Sequence, residues 1–116
     1  MSKITLIALG VTDLAKSVAF YRDKAGFELQ NQIEEFAFIS AGTITLMLNR
    51  NLRRPEGPLA GAMELVTPVE SVTARHRELK ERGCTFINEP RQVTPDAWAV
   101  TLPDPDGHWL TLFGPK

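Results

Sequence analysis

The chain has one cysteine, no long apolar run and no excess of either charge. Cys84 has no second cysteine to pair with, so an intrachain disulfide framework is excluded. The 13 Lys and Arg residues nearly balance the 14 Asp and Glu residues, for a formal net charge of −1, which gives no general attraction to nucleic acid or to an anionic membrane. No segment reads as a membrane helix, and the N-terminus shows no signal-peptide pattern. We expect a cytoplasmic protein without nucleic-acid or membrane partners.

The sequence also lacks the motifs of several enzyme classes. It contains no G-x-S-x-G nucleophile elbow and no phosphate-cradling glycine loop. His76 and His108 have no partner at metal-ligand spacing. Asp104 and Asp106 have proline and glycine neighbours, and in that setting carboxylates commonly bond the backbone of a turn. These motifs therefore predict no catalytic residue and no cofactor.

What the sequence does contain is an internal repeat. Val11-Thr12-Asp13-Leu14 opens a helical stretch that ends at Gly26, and Val66-Thr67-Pro68-Val69 opens another that ends at Gly83. Each stretch follows a short apolar run and precedes strand-like segments. The repeat predicts two copies of one supersecondary unit, and a cavity can form between such copies.

Each copy reads as β-α-β-β-β. Thr12 or Asp13 can cap the first helix, and Thr67–Glu70 has the form of a capping box for the second. The predicted strands, taken from apolar alternation and branched residues, lie at 3–11, 27–33, 35–40, 43–49, 62–66, 84–88, 97–102 and 108–113.

Residues 1–116 are therefore expected to form one α+β domain. Its modules are residues 1–52 and 60–116, joined by a linker at 50–60 that is rich in turn-forming residues. Two such modules can place both helices on one side of a curved eight-stranded mixed sheet. The concave side of that sheet is where a ligand is expected.

Several motifs occur in a recognisable order: V-x-D-L at residue 11, Phe20-Tyr21, Gly26-Phe27 and D-P-D-G-x-x-x-x-L at 104–112. The set resembles the vicinal oxygen chelate superfamily, which includes glyoxalase I, the bleomycin-resistance proteins and extradiol dioxygenases. The resemblance covers nearly the whole chain and implies the glyoxalase/bleomycin-resistance/dihydroxybiphenyl dioxygenase fold. It implies no single activity, because fold and function separate in this superfamily.

Enzymes of this superfamily hold a divalent metal with His, Gln or Glu ligands from four strands. The positions that correspond here are Leu6, Met47, Gly61 and Thr111. None offers the carboxylate oxygen or imidazole nitrogen that such an ion needs. Glu64 enters only if the alignment slips, and strand parity then puts it beside an inward position. We expect no metal site.

An apolar cup then remains as the expected site. Residues two apart on a strand share a face, so the inward set extends along each strand from the four positions above. Aromatic walls with a few polar groups suit a flat apolar or amphipathic molecule. The predicted ligand-binding residues are Leu6, Phe38, Met47, Asn49, Met63, Trp98, Trp109 and Thr111.

The preferred hypothesis is a homodimer that binds a small organic, aromatic or antibiotic-like molecule without metal, as bleomycin-resistance proteins hold their drug. Bleomycin itself is not implied, since those proteins are acidic and this chain is nearly neutral. One alternative is a lyase, isomerase or dioxygenase with a relocated site built from Glu64, His108 or Asp96. Another is a regulatory or interaction module whose cup is filled by its own side chains.

Overall fold

The computed structural model describes residues 2–53, 57 and 62–116, and its elements run twice in the order β-α-β-β-β. The first module comprises β1 (Leu6–Gly10), α1 (Leu14–Val18), β2 (Glu28–Ile33), β3 (Phe36–Ala41) and β4 (Ile44–Asn49). The second comprises β5 (Glu64–Pro68), α2 (Val72–Glu81), β6 (Arg91–Thr94), β7 (Ala97–Pro103) and β8 (Trp109–Gly114). Residues 54–56 and 58–60 of the predicted linker lie outside the described residues.

The α+β fold is confirmed, with its eight strands divided between two four-stranded mixed sheets. The first sheet has the order β1-β4-β3-β2 and the second has the order β5-β8-β7-β6. In each sheet one pair, β1 with β4 or β5 with β8, is parallel and the other pairs are antiparallel. Within the described ranges no strand of one sheet pairs with a strand of the other, so the expected eight-stranded sheet is two separate halves.

The first helix begins at one of its two predicted caps. Asp13 accepts a 3.1 Å hydrogen bond from the amide of Lys16, and this bond satisfies a free donor of the first turn. After Val18 the helix widens into a π-helical segment, Ala19–Lys24, that buries Tyr21. The chain then leaves the helix through Gly26, whose φ of 85° suits glycine.

The second helix begins later than predicted, and the capping box at Thr67–Glu70 is wrong. Thr67 and Pro68 remain in β5, where they pair with β8 in a parallel ladder. Ser71 is the cap instead, because its hydroxyl accepts the amide of Ala74 at 3.2 Å. No helix of the described residues is long and apolar enough to cross a lipid bilayer.

The predicted strand at 84–88 is also wrong. That segment is irregular and is tied to β7, because the amide of Ile87 donates to the carbonyl of Thr101 at 2.8 Å and the side chain of Asn88 accepts the amide of Thr101 at 3.0 Å. The edge strand β6 comes later, at Arg91–Thr94, and all four of its residues are exposed. An exposed edge strand has little of the apolar alternation by which strands are found in a sequence.

One hydrophobic core is shared by the inner faces of both sheets and by the two helices. Its fully buried strand residues include Leu9, Ile39, Leu48, Val100, Leu102 and Leu110. Because strand side chains alternate, the intervening residues form a second face on each sheet that points away from this core. The register of the ladders assigns Leu6, Ala8, Phe36, Phe38, Thr45, Met47 and Asn49 to what we call the first open face. It assigns Glu64, Val66, Ala99, Thr101, Trp109, Thr111 and Phe113 to the second open face.

Candidate functional site

The first open face is a largely apolar surface that includes four of the predicted ligand-binding residues: Leu6, Phe38, Met47 and Asn49. Met47 lies between Ala8 on β1 and Phe38 on β3 in the ladder register. Leu6 extends the surface along β1 and is 40% exposed, and Ile33 extends it onto β2 and is 51% exposed. Solvent-accessible apolar residues that adjoin one another mark a surface available for binding.

Asn49 belongs to the same face by register, but its side chain is committed to the turn after β4. It is buried, and its Oδ1 accepts the amide of Asn51 at 2.8 Å. The carbonyl of Arg53 passes so close to Gly10, the partner of Asn49 on β1, that a Cβ there would overlap it. The segment after β4 therefore covers this end of the sheet, and Asn49 has a structural role in the turn, while its role as a ligand contact stays a prediction.

The second open face contains a pocket of about 340 Å³. This volume falls within the range of roughly 300–1,000 Å³ that is typical of small-molecule sites. Its lining includes three exposed apolar side chains, Val66, Val93 and Phe113, which are 56%, 41% and 39% exposed. Thr111, a predicted ligand-binding residue, lines it, and Trp109 lies on the same face beside Glu64. The full lining is Glu64, Val66, Arg91, Val93, Ala99, Thr111 and Phe113.

A short hydrogen-bonded chain runs through this pocket. The hydroxyl of Thr111 donates to Oε2 of Glu64 at 2.7 Å, and the hydroxyls of Thr101 and Thr111 are 2.8 Å apart. Because the single hydroxyl hydrogen of Thr111 is directed to Glu64, Thr101 must be the donor to Thr111. Both threonines are buried, whereas Glu64 is exposed. These two hydrogen bonds therefore orient the carboxylate of Glu64 at the edge of an apolar pocket.

Two predicted ligand-binding residues, Trp98 and Met63, lie off the open faces. Trp98 shares its side of β7 with the buried Val100, and it packs against the core with the ammonium of Lys116 at 4.8 Å from its ring centroid. Met63 precedes β5, and alternation along that strand gives the open face to Glu64. Both placements follow from strand register, which the sequence pattern left open by one residue.

The helix caps show which residues of the two modules are equivalent. Leu6 lies seven residues before Asp13, the cap of α1, and Glu64 lies seven residues before Ser71, the cap of α2. The fifth-strand position implied by the resemblance is therefore Glu64. It replaces the predicted Gly61, which itself lies outside the described residues.

The residues at the four implied positions do not fit a divalent metal ion. Leu6 and Met47 offer no hard donor, and Thr111 offers a neutral hydroxyl that already donates to Glu64. A single carboxylate does not make the three or four oxygen or nitrogen ligands that such an ion requires. In the part of the chain that the structure describes, no three His, Cys, Asp or Glu side chains are arranged so that they could hold a metal ion.

The three residues considered for acid–base chemistry do not form a constellation. Glu64 pairs with Trp109 at the start of β8, whereas Asp96 lies in the turn before β7, beside the other end of β8. His108 is used elsewhere, because its Nε2 is 2.7 Å from the carbonyl oxygen of Gly10. A general acid and base must both reach one substrate, and this arrangement does not bring these groups together.

The turn before β8 joins the two modules, a role that the sequence did not reveal. Oδ2 of Asp104 accepts the hydroxyl of Tyr21 at 2.7 Å, while its Oδ1 accepts the amides of Asp106 and His108 at 2.9 and 2.8 Å. Asp106 in turn accepts the amide of Thr12 at 3.0 Å. The predicted bonding of the turn backbone is present, but the same carboxylates also bind Thr12, just before α1, and Tyr21, in the π-helical segment after it. We call Tyr21, Asp104 and Asp106 the intermodule clamp.

Burial controls the electrostatics of the clamp. Burial raises the pKa of the Asp104 carboxyl above its usual value, and the hydrogen bond from Tyr21 partly opposes that rise. Burial, with the nearby charge of Asp104, raises the pKa of Tyr21 well above 10. Tyr21 therefore stays protonated near neutral pH and remains the donor. Because the clamp fixes one module against the other, it also fixes the directions of the two open faces.

The comparisons with known proteins agree with this architecture. TnmS3, an antibiotic-binding protein from Streptomyces sp. CB03234, is 24% identical with a TM-score of 0.78, covering 100% of this chain and 98% of that chain. A glyoxalase/bleomycin resistance protein/dioxygenase from Nocardioides is 24% identical with a TM-score of 0.79, covering 97% and 83%. Lactoylglutathione lyase from Agrobacterium tumefaciens is 17% identical with a TM-score of 0.76, covering 97% and 93%.

At these identities the structural likeness shows the fold alone. No curated protein matches the chain in sequence. The sequence model of one family matches residues 3–112, which is nearly the whole chain. The chain therefore belongs to the Glyoxalase/Bleomycin resistance protein/Dioxygenase superfamily.

Proposed function

We propose that the protein sequesters a small organic molecule with a flat, apolar body, such as an antibiotic-like compound, and does not convert it chemically. The observation that carries this proposal is the exposed apolar surface of both open faces, together with the pocket on the second. Apolar pockets with a few placed polar groups are the common form of small-molecule sites. The description of TnmS3 as an antibiotic-binding protein supports the ligand class.

The complete site needs a second copy of the chain. Within one chain the two open faces point away from a shared core, so they do not enclose a ligand between them. A homodimer in which the second open face of one copy covers the first open face of the other would form two closed cups. Burying Leu6, Ile33 and Val66 in this way removes apolar surface from water, which is favourable by about 25 cal/mol per Å².

Binding without conversion is supported by the apolar side chains of the two faces. Leu6, Phe38 and Met47 on one face and Val66 and Phe113 on the other have no acid–base or nucleophilic group. Glu64 is a carboxylate on the second face, but neither His108 nor Asp96 lies beside it to complete an acid–base pair. Such surfaces bind by desolvation and by aromatic stacking, which contributes about 0.5–1.5 kcal/mol per pair beyond area burial. The single cysteine fits a reducing compartment, and we place the protein in the cytoplasm.

The two tryptophans allow a direct test, because they lie on opposite faces of the second sheet. In a Trp98→Phe variant, Trp109 is the one remaining tryptophan of the sequence, so tryptophan fluorescence reports on the second open face. Titration with a broad library of aromatic natural products should give saturable quenching of Trp109. Sedimentation of the same samples should show a dimer.

The matched alanine variants separate binding from folding. Trp109→Ala should weaken a compound found in this way at least tenfold while leaving the unfolding midpoint nearly unchanged. Trp98→Ala should lower the unfolding midpoint and leave the affinity for that compound nearly unchanged, because Trp98 packs against the core. A library that produces neither quenching nor a thermal shift, or a Trp109→Ala chain that does not fold, would show that the open faces are packing surfaces.

A further inference from the structure

The second open face carries a charge that an apolar ligand alone does not explain. Glu64 is exposed at the edge of the pocket, on the same face as Val66, Thr111 and Phe113. A carboxylate beside apolar walls is strongly hydrated unless a ligand supplies a partner. The position of Glu64 among these apolar residues therefore indicates a ligand that has a polar partner for the carboxylate.

The threonine chain gives this carboxylate a fixed orientation. The hydroxyl of Thr111 donates to Oε2 of Glu64, and the hydroxyl of Thr101 donates to that of Thr111. Oε1 accepts no hydrogen bond from the described residues, so it is available to a donor on a bound molecule. An oriented carboxylate oxygen makes a shorter and stronger hydrogen bond with a cationic donor than with a neutral one.

Arg91 is the other charged residue of the pocket lining, and it lies at the far corner. It pairs with Ala99, which pairs with Phe113, whereas Glu64 pairs with Trp109. Trp109 and Phe113 are four residues apart on β8, or about 13 Å at the usual rise of a strand. Glu64 and Arg91 also lie on opposite edge strands, so Arg91 leaves the carboxylate available.

We infer that the pocket is selective for a molecule whose apolar body carries a protonated amine, with Glu64 as the group that binds the ammonium. The inference rests on the proposed function and specifies its ligand class. The apolar body lies along Val66 and Phe113, and the ammonium lies at Oε1 of Glu64. Thr111 is a positioning residue, because it acts on the ligand only through Glu64.

The test uses two probes that share one ring system, 2-naphthylmethylamine and 2-naphthylmethanol, titrated into the full chain by calorimetry. The amine should bind about tenfold more tightly than the alcohol, as expected for one charge-assisted hydrogen bond. Glu64→Gln should remove that preference while changing the affinity for the alcohol less than twofold. Glu70→Gln makes the same chemical change at an exposed position before α2 and should have no effect.

Two further readouts test the positioning role and the charge. Thr111→Val should reduce the preference for the amine, and Thr111→Ser, which keeps the hydroxyl, should restore it. In the wild-type protein the preference should shrink as salt is raised, because screening weakens an exposed charge pair. This salt dependence decides the question if Glu64→Gln fails to fold.

The outcomes distinguish the inference from the proposed function. Equal binding of both probes, or an amine preference that survives Glu64→Gln, overturns the role of Glu64 and leaves apolar sequestration standing. Failure of both probes to bind counts against the pocket as a ligand site, and the inference falls with it. A preference lost in Glu64→Gln and kept in Glu70→Gln supports the inference.

Discussion

Removing one hydroxyl from the intermodule clamp should destabilise the whole protein. Tyr21→Phe keeps the ring in its fully buried position and deletes only the donor to Oδ2 of Asp104. Asp104 is only 4% exposed, so water cannot easily replace the lost partner. Leaving a buried acceptor without its donor costs about 1–3 kcal/mol. Two backbone amides still serve Oδ1, so we expect about 2 kcal/mol, within that range.

The assay is urea unfolding at one protein concentration, since the proposed dimer would unfold with a concentration-dependent midpoint. Ser17→Ala is the matched control, because it also removes one buried hydroxyl from α1. The Ser17 contact with Asp106 is long, at 3.4 Å, so its loss should cost less than about 1 kcal/mol. The two variants thus differ mainly in the carboxylate that loses a hydroxyl donor, which is Asp104 in Tyr21→Phe and Asp106 in Ser17→Ala.

The effect of Tyr21→Phe should also depend on pH. Burial raises the pKa of folded Asp104 above its unfolded value, so ionising this group reduces stability as pH rises through the folded pKa. Tyr21 opposes the rise, and its loss lifts the folded pKa further. The difference between the two proteins should therefore be larger near pH 7 than near pH 4. Equal losses for Tyr21→Phe and Ser17→Ala, or a difference that does not change with pH, would refute the clamp.

Two further predictions test the strand register and one side chain of α2. Leu48→Ala leaves a cavity in the core and should lower the free energy of unfolding by about 2–5 kcal/mol. Met47→Ala, one residue away on the first open face, should lower it clearly less in the same urea assay. Equal losses of stability would contradict the strand register. Burial against Phe86 lowers the pKa of His76, so an NMR titration should place this pKa below 6.5. The free energy of unfolding should then fall as the pH drops from 6.5 through the folded pKa of His76, and His76→Gln should remove this pH dependence. A measured pKa above 6.5 would contradict this placement.

Periodicity and motif order predict the α+β fold and the order of its elements, but not the division of its eight strands into two sheets. Apolar alternation located seven of the eight strands, and Asp13 capped the first helix as its residue type indicates. The edge strand β6 was missed because its four residues, Arg91–Thr94, are all exposed. The start of α2 was missed because Thr67 and Pro68 form a good capping sequence, yet pairing with β8 keeps them in a strand.

The site was harder to predict, because it depends on register to within one residue. The sequence gives no direct signal for which of Met63 and Glu64 faces outward, or for the side of β7 on which Trp98 lies. Signals did exist for part of the answer. Val69-Glu70-Ser71-Val72 matches Val11-Thr12-Asp13-Leu14 in pattern, and that alignment leads to Glu64. The clamp was out of reach, since Tyr21 and Asp104 are 83 residues apart.

Strand alternation separates two kinds of constraint on neighbouring positions. Leu110 and Leu112 face inward and hold the protein together, while Trp109, Thr111 and Phe113 between them face outward. A substitution at an outward position alters the proposed binding surface and is expected to leave the packed interior largely intact. Such a framework can diverge in what it accepts, one position at a time, without first having to regain its stability.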